Sequence, residues 1–404
     1  MSPEEAGLTL LDPGAYADGR LDRACAVLRR CSPVHRVQSP DFQPFYVLTK
    51  HEDVFGVERE AELFLAGPRY RLFRTADEPA PGTPRTLVGM DPPKHTEYRG
   101  LVASRFRRMS LRAVEDQVRG LAKAAVDRMA ARGDAYDFVA EISMEYPATV
   151  ICSLLGIPEE DKKLLIRLTQ QSFGSEDPDY RAAAQVDGAN VTRELPEYFL
   201  RVVADRRARP ADDVSSLLAH ATIGGEPMPV PELIGYFGIL ATAGHDTTSS
   251  AISGGLRALI DNPDQLERLR NDPSLMPFAV DEMIRWATPV NSFMRVASAD
   301  TEIRGQRIAA GDSVLLMYPS ANRDEEVFAD PYRFDVGRNP NRHLAFGQGI
   351  HFCLGTHLAK LETEIFFAEL IPRLRDIATA GDPQYVKTLF VGGLKHLPIR
   401  AEVA

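Results

Sequence analysis

Among four cysteines, Cys353 has the neighbours for chemistry. It stands in AFGQGIHFCLGTHLAKLE, Ala345 to Glu362, between a glycine-rich loop and an apolar series, Leu354, Leu358, Leu361, Ile365 and Leu370, that follows one face of a buried helix. Unpaired N–H groups at a helix start carry partial positive charge and favour a thiolate. Gly347, Gly349 and Gly355 would let backbone approach the sulfur closely. Such a sulfur is suited to be a metal ligand or a nucleophile. Three readings stand here: an inert buried thiol, a zinc site with His351 and His357, and a nucleophile served by a base. The zinc set is short of a full tetrahedron, and the base is not visible in the sequence.

Other groups break the pattern of an ordinary core. In AGHDTTSS, Asp246 and Thr247 are polar where a buried helix would continue apolar, and Ile239, Thr242, Ala243 and Ser250 share their face. Glu282 and Arg285 lie three apart in DEMIRW, and His95 and Arg99 four apart in DPPKHTEYRG, spacings at which helical side chains meet. Seen singly, each of these reads as a solvated face or a weak surface pair.

The elements that must hold these groups are mainly helical. PELIGYFGILATAGHDTTSSAISGGLRALIDNP predicts one long helix with Pro231 in its first turn and DNP at its end. About 30 residues at 1.5 Å each would span roughly 45 Å, a whole domain. DPSLMPFAVDEMIRWATP is a further helix, and a last one runs from Cys353 to about Leu374. FMRVASADTEIRGQRIAAGDSVLLMY alternates and turns as a small sheet, and QPFYVLTKHEDVFGV reads as strand then helix. TADEPAPGTPRTLVGMDPPKH is rich in Pro and Gly and reads as a long lid-like connection, while residues 1–40 read as irregular. The expectation is a mainly α chain with a small β-rich region, one domain over residues 1–404.

Composition narrows the class. With 404 residues, 47 Lys and Arg against 57 Asp and Glu, the formal charge is −10, which argues against nucleic acid as the main partner. The scattered cysteines form no disulfide framework, and no apolar run approaches the roughly 20 residues of a membrane span or anchor. A cytoplasmic enzyme is expected.

FGQGIHFCLG, Phe346 to Gly355, resembles the haem-binding signature of the cytochrome P-450 monooxygenases, and the similarity extends from about Asp41 to Ile399. It implies the fold of that family, haem b (iron protoporphyrin IX) as cofactor and Cys353 as the iron ligand, with Phe346, Gly347 and Gly355 shaping the loop. It implies His95, Arg99, Arg295 and His351 as contacts of the haem carboxylates, with Ala243 beside the ring. Asp246 and Thr247 would deliver protons for oxygen activation, and Glu282, Arg285 and Arg333 would form a structural pair and its third member. Ile239, Thr242, Ala243, Val290, Asn291, Phe293, Phe390 and Val391 would line a pocket for a hydrophobic substrate.

The wording AGHDTTSS is similar to the terpenoid-oxidising branch of that family. The resemblance further implies O2 as co-substrate and electrons from a ferredoxin and its reductase, with Arg105, Arg107, Arg108 and Lys360 as docking cations. Arg69, Arg71 and Arg74 would face water or an acidic substrate end. A peroxide-driven peroxygenase, oxidation of a fatty acid or sterol, and a haem sensor are the alternatives. Asp246 where many relatives carry Glu, and Lys360 where Arg is frequent, are the departures from the pattern.

Overall fold

The computed structural model describes residues 1–80, 83, 85–173, 176–186 and 191–404; side chains at 172–173, 183–186 and 191–192 are not described. Part of the lid-like connection, residues 81, 82 and 84, lies outside them.

The long helix runs Val230–Asp261 and crosses the molecule, with Pro231 in its first turn as its sequence predicts. Helices Glu145–Leu155 and Met276–Ala287 pack along it. Two glycines permit that closeness: a Cβ at Gly244 would come 2.6 Å from the Ile151 side chain, and one at Gly255 2.8 Å from Met283. Leu256, Met283, Phe366 and their neighbours fuse these helices with Arg108–Ala130 and Thr356–Leu370 into the main core.

The β-rich region is a five-stranded sheet in the spatial order Val34–Ser39, Phe42–Leu48, Ser313–Met317, Ser292–Ala297, Phe64–Leu65. Ser313–Met317 is buried throughout, as its continuous apolar run requires in a central strand. The sheet's register sets Arg295 opposite Val314 and so fixes where that guanidinium emerges.

Two expectations change. Residues 1–40 are not irregular: Pro3–Thr9 and Arg20–Cys31 are helices, and Ala6, Leu10, Ala24 and Leu28 are fully buried against the sheet. Ser2 and Glu5 close a reciprocal capping box at the first. The last helix is Thr356–Leu370, so Cys353 precedes it by three residues, and Leu374 already begins a strand.

Candidate active site

Cys353 closes a tight loop. Its N–H donates to the Phe346 carbonyl at 2.9 Å, and the Gly347 N–H to the Leu344 carbonyl at 2.9 Å. Gly347 and Gly349 hold φ of 67° and 66°, the left-handed region, and a Cβ at Gly349 would sit 2.2 Å from the Glu58 carbonyl. Gly355 has an ordinary φ of −86°, lines the cavity, and would place a Cβ 3.9 Å from the Cys353 sulfur, an ordinary contact.

The sulfur faces an internal cavity, which is why it is accessible although protein surrounds it. Burial pushes the Cys353 thiol above its ordinary range; the Gly355 and Thr356 N–H groups, the Thr356 hydroxyl and Arg99 oppose this without reversing it. The helix start alone therefore does not make a thiolate, contrary to the sequence expectation. A bound metal ion would, since a coordinating thiol gives up its proton.

The cavity measures about 220 Å³. One of its walls is a single face of the long helix, Ile239, Ala243, Thr247 and Ala251 at i, i+4 spacing. Phe346, Leu354 and Leu358 belong to the cysteine side. His95, Arg99, Arg295, His351 and Glu58 also line it.

His95 is 2% exposed, and both its ring nitrogens lack partners; its ring centre lies 4.3 Å from that of His351. Burial, reinforced by neighbouring arginines, brings His95 down to about 4 and His351 to about 2, so in the protein alone both rings are neutral hydrogen-bonding groups. Among the described residues no cluster of three or more His, Cys, Asp or Glu could share an ion, which leaves the zinc reading without a donor set. One sulfur, apolar walls, two arginines and an orphaned imidazole fit a flat macrocycle with one axial ligand and two carboxylates.

Thr247 lines the cavity with its hydroxyl donating to the Ala243 carbonyl at 3.0 Å. Asp246, one residue away on the helix, turns to another face: it is 9% exposed, does not line the cavity, has one oxygen unpartnered and sets the other 3.4 Å from Nε2 of buried His245. Burial raises its pKa, opposed by His245. The structure thus separates the pair, alcohol in the cavity and acid behind it.

Of the pocket residues named above, Ile239, Ala243, Val290 and Phe293 reach the cavity wall and four do not. Thr242 folds its hydroxyl back onto the Gly238 carbonyl. Val391 pairs with Val290 in a β-bridge, and the Asn291 amide abuts Gly392. Phe390 packs behind Phe293, ring centres 5.4 Å apart. Leu87, Val88, Leu240 and Thr248, unmarked in the sequence reading, line the wall instead.

Glu282 and Arg285 form a fully buried bidentate pair, both bonds 2.7 Å. The third member is Arg338, not Arg333: Arg338 Nε donates to both Glu282 oxygens at 3.1 Å, and Asn341 adds another donor. Arg333 is exposed and contributes its backbone carbonyl, because the turn through Asp330 carries its side chain outward.

The lid arginines have internal partners. Arg69 pairs with Glu78 at 2.7 Å, Arg74 lies over Phe42, and Arg71 stacks on Phe73 with its charge centre 4.4 Å from the ring. None lines the cavity. Of the four docking cations, Arg105 and Lys360 are paired with Asp212 and Asp281 at 2.5 Å each, which leaves Arg107 and Arg108 as the exposed charge.

Two carboxyls on the cavity wall escaped the sequence reading, Glu58 and Glu362. Both occupy apolar stripes, Glu58 four residues after Val54 and Glu362 four after Leu358, and an acid on a core-facing stripe was the available signal. Both Glu362 oxygens are buried without partners, and burial holds its pKa well above the ordinary range.

Comparison with known proteins agrees with this geometry. The family model for cytochrome P-450 matches residues 189–385. Cytochrome P-450-terp of a Pseudomonas species is 42% identical over 98% of this chain and 97% of its own length. The crystal structure of CYP108D1 from Novosphingobium aromaticivorans superposes with a TM-score of 0.90 at 38% identity, covering 100% of both chains. A Mycobacterium marinum cytochrome solved with pseudoionone has a TM-score of 0.88 at 35% identity over 96% of each chain.

Proposed function

The chain belongs to the cytochrome P-450 family and is a haem-binding monooxygenase, and from that premise we propose that it hydroxylates a branched, isoprenoid-like hydrophobic molecule with electrons from a ferredoxin. The observation that carries the reading is the single cavity in which Cys353, the apolar face around Ala243 and the hydroxyl of Thr247 meet. Haem held there through Cys353 would supply the chemistry of O2 activation, in which one oxygen atom enters a C–H bond and the second leaves as water with two electrons and two protons.

The residues' own work is binding, dryness and protons. Arg99 and Arg295 would take the haem carboxylates as charge-assisted donors, and the rings of His95 and His351 would add hydrogen bonds. Phe293, Val290, Leu87 and Ile239 exclude water and give the substrate an apolar surface with few polar anchors. Thr247 presents a hydroxyl on the cavity side, and Asp246, raised by burial, holds a proton one residue behind it.

The substrate class rests on that apolar lining, on the likeness to cytochrome P-450-terp and on the isoprenoid skeleton of the ligand in the Mycobacterium marinum relative. Arg107 and Arg108 supply the exposed positive charge on the ferredoxin side. Among the described residues no helix is long and apolar enough to cross a membrane.

The test is a spectral binding screen with terpenoids, methyl-branched lipids, fatty acids and sterols. It is followed by NADH-coupled turnover with a ferredoxin and its reductase. A hydroxylated terpenoid or branched lipid is expected; silence from all of these, with a fatty acid or sterol turned over, overturns the substrate class. Turnover driven equally well by peroxide alone overturns the electron source.

A further inference from the structure

We infer that Glu58 keeps a proton in the haem-loaded enzyme and donates it to a haem carboxylate, so that haem retention weakens as the pH rises. Glu58 ends a buried stripe on helix His51–Arg59, and its side chain is 1% exposed. Oε1 accepts the Tyr318 hydroxyl at 2.5 Å, while Oε2 is buried without a partner. Arg295 does not bind it directly: Nη2 is 3.9 Å away, and Nη1 is spent on the Met294 carbonyl at 2.8 Å.

Charge balance gives the protonation state. The cations lining the cavity are Arg99 and Arg295, and the carboxyls are Glu58 and Glu362. Haem b brings two carboxylates, which two guanidiniums neutralise. An ionised Glu58 would be a further buried anion with no cation left for it. A protonated Glu58 removes that excess and turns an orphaned oxygen into a donor beside an acceptor.

The groups facing Glu58 agree. Burial dominates and pushes Glu58 up to about 7, against the positive charge of Arg295 on the sheet, the hydroxyl of Tyr318 at the start of helix Tyr318–Ala321 and the Gln348 N–H. Arg59 on its own helix stacks over Phe55, its charge centre 5.3 Å from the ring. The turn Gly349–His351 packs on the same helix and brings the imidazole of His351 to the shared cavity. A haem carboxylate arriving nearby is a like charge and raises Glu58 further.

The sign follows. A carboxyl whose pKa is higher with haem than without it takes up a proton on binding above pH 7. Its contribution to retention is complete below that value and fades as the pH climbs through the loaded value. The test is haem transfer from the holoenzyme to excess apomyoglobin between pH 6 and 9. Wild type is expected to lose haem faster with rising pH, by up to about tenfold per unit above 7.

Glu58→Gln, which keeps a neutral donor, should show a flat profile and hold haem more tightly than wild type at pH 9. Infrared difference spectra of the two holoproteins at pH 7 should show a protonated carboxyl stretch that shifts in D2O. A flat wild-type profile, an unchanged slope in Glu58→Gln, or absence of that band overturns the inference. The wild-type profile decides even if the variant fails to load.

Discussion

The two sides of the cavity are built differently. The cysteine side is over-determined: glycines at positive φ close the Cys353 loop, and the Glu282–Arg285–Arg338 cluster behind it is fully hydrogen-bonded. The wall that carries Val290 and Phe293 is backed, one layer behind the cavity, by contacts between distant segments. Leu389 N–H bonds Glu176, Lys387 N–H bonds Asp177, and Lys395 pairs with Asp177 at 3.1 Å, tying residues 176–177 to the segment 387–395. The first is fixed locally around the sulfur, and the second is set by long-range contacts behind the wall. Damage to the first should remove the pigment, and damage to the second should change what is oxidised.

The sharpest break of that contrast is Cys353→Ala, which should abolish monooxygenase turnover while the secondary structure seen by circular dichroism stays native. Next comes Glu282→Ala: it leaves Arg285 and Arg338 as uncompensated buried charges, and chemical unfolding should show about 3–5 kcal/mol lost or no haem-loaded protein at all. Asp246→Asn should lower turnover on the order of 10²-fold while substrate binding spectra stay unchanged, because proton delivery alone is touched. Thr247→Ala should leave NADH consumption and convert more of it to peroxide, read as product formed per NADH. The smallest effect belongs to the Lys395–Asp177 pair: Lys395→Met should change the spectral affinity for substrate only a few-fold and broaden the set of ligands bound, with the haem spectrum intact. If Lys395→Met instead bleached the protein, the division between the two sides would fail.

The same division decides what could be read from sequence. Cys353, Gly347 and Gly349 sit within seven consecutive residues, so local backbone demands wrote a local pattern, and the long helix announced itself through Pro231 and its apolar period. Arg338 was missed because its meeting with Glu282 is made by the fold of an irregular segment, 56 residues away in the chain. Phe390, Val391 and Asn291 were expected in the pocket wall, yet a β-bridge and an aromatic stack place them one layer back, a matter of packing and not of residue type. The N-terminal helices were missed for a related reason: Pro3–Thr9 is a helix of about two turns whose stability comes from burial of Ala6 and of Leu10 at its C-cap, not from propensity.

The central claim is that the Cys353 sulfur binds haem iron as a thiolate. The absorption spectrum of the reduced, carbon monoxide-bound protein tests it most directly. Wild type should show the strongly red-shifted main band of a thiolate-ligated haem, and Cys353→Ala should lose it. A band at the position given by histidine ligation, or a red-shifted band that survives Cys353→Ala, would contradict it.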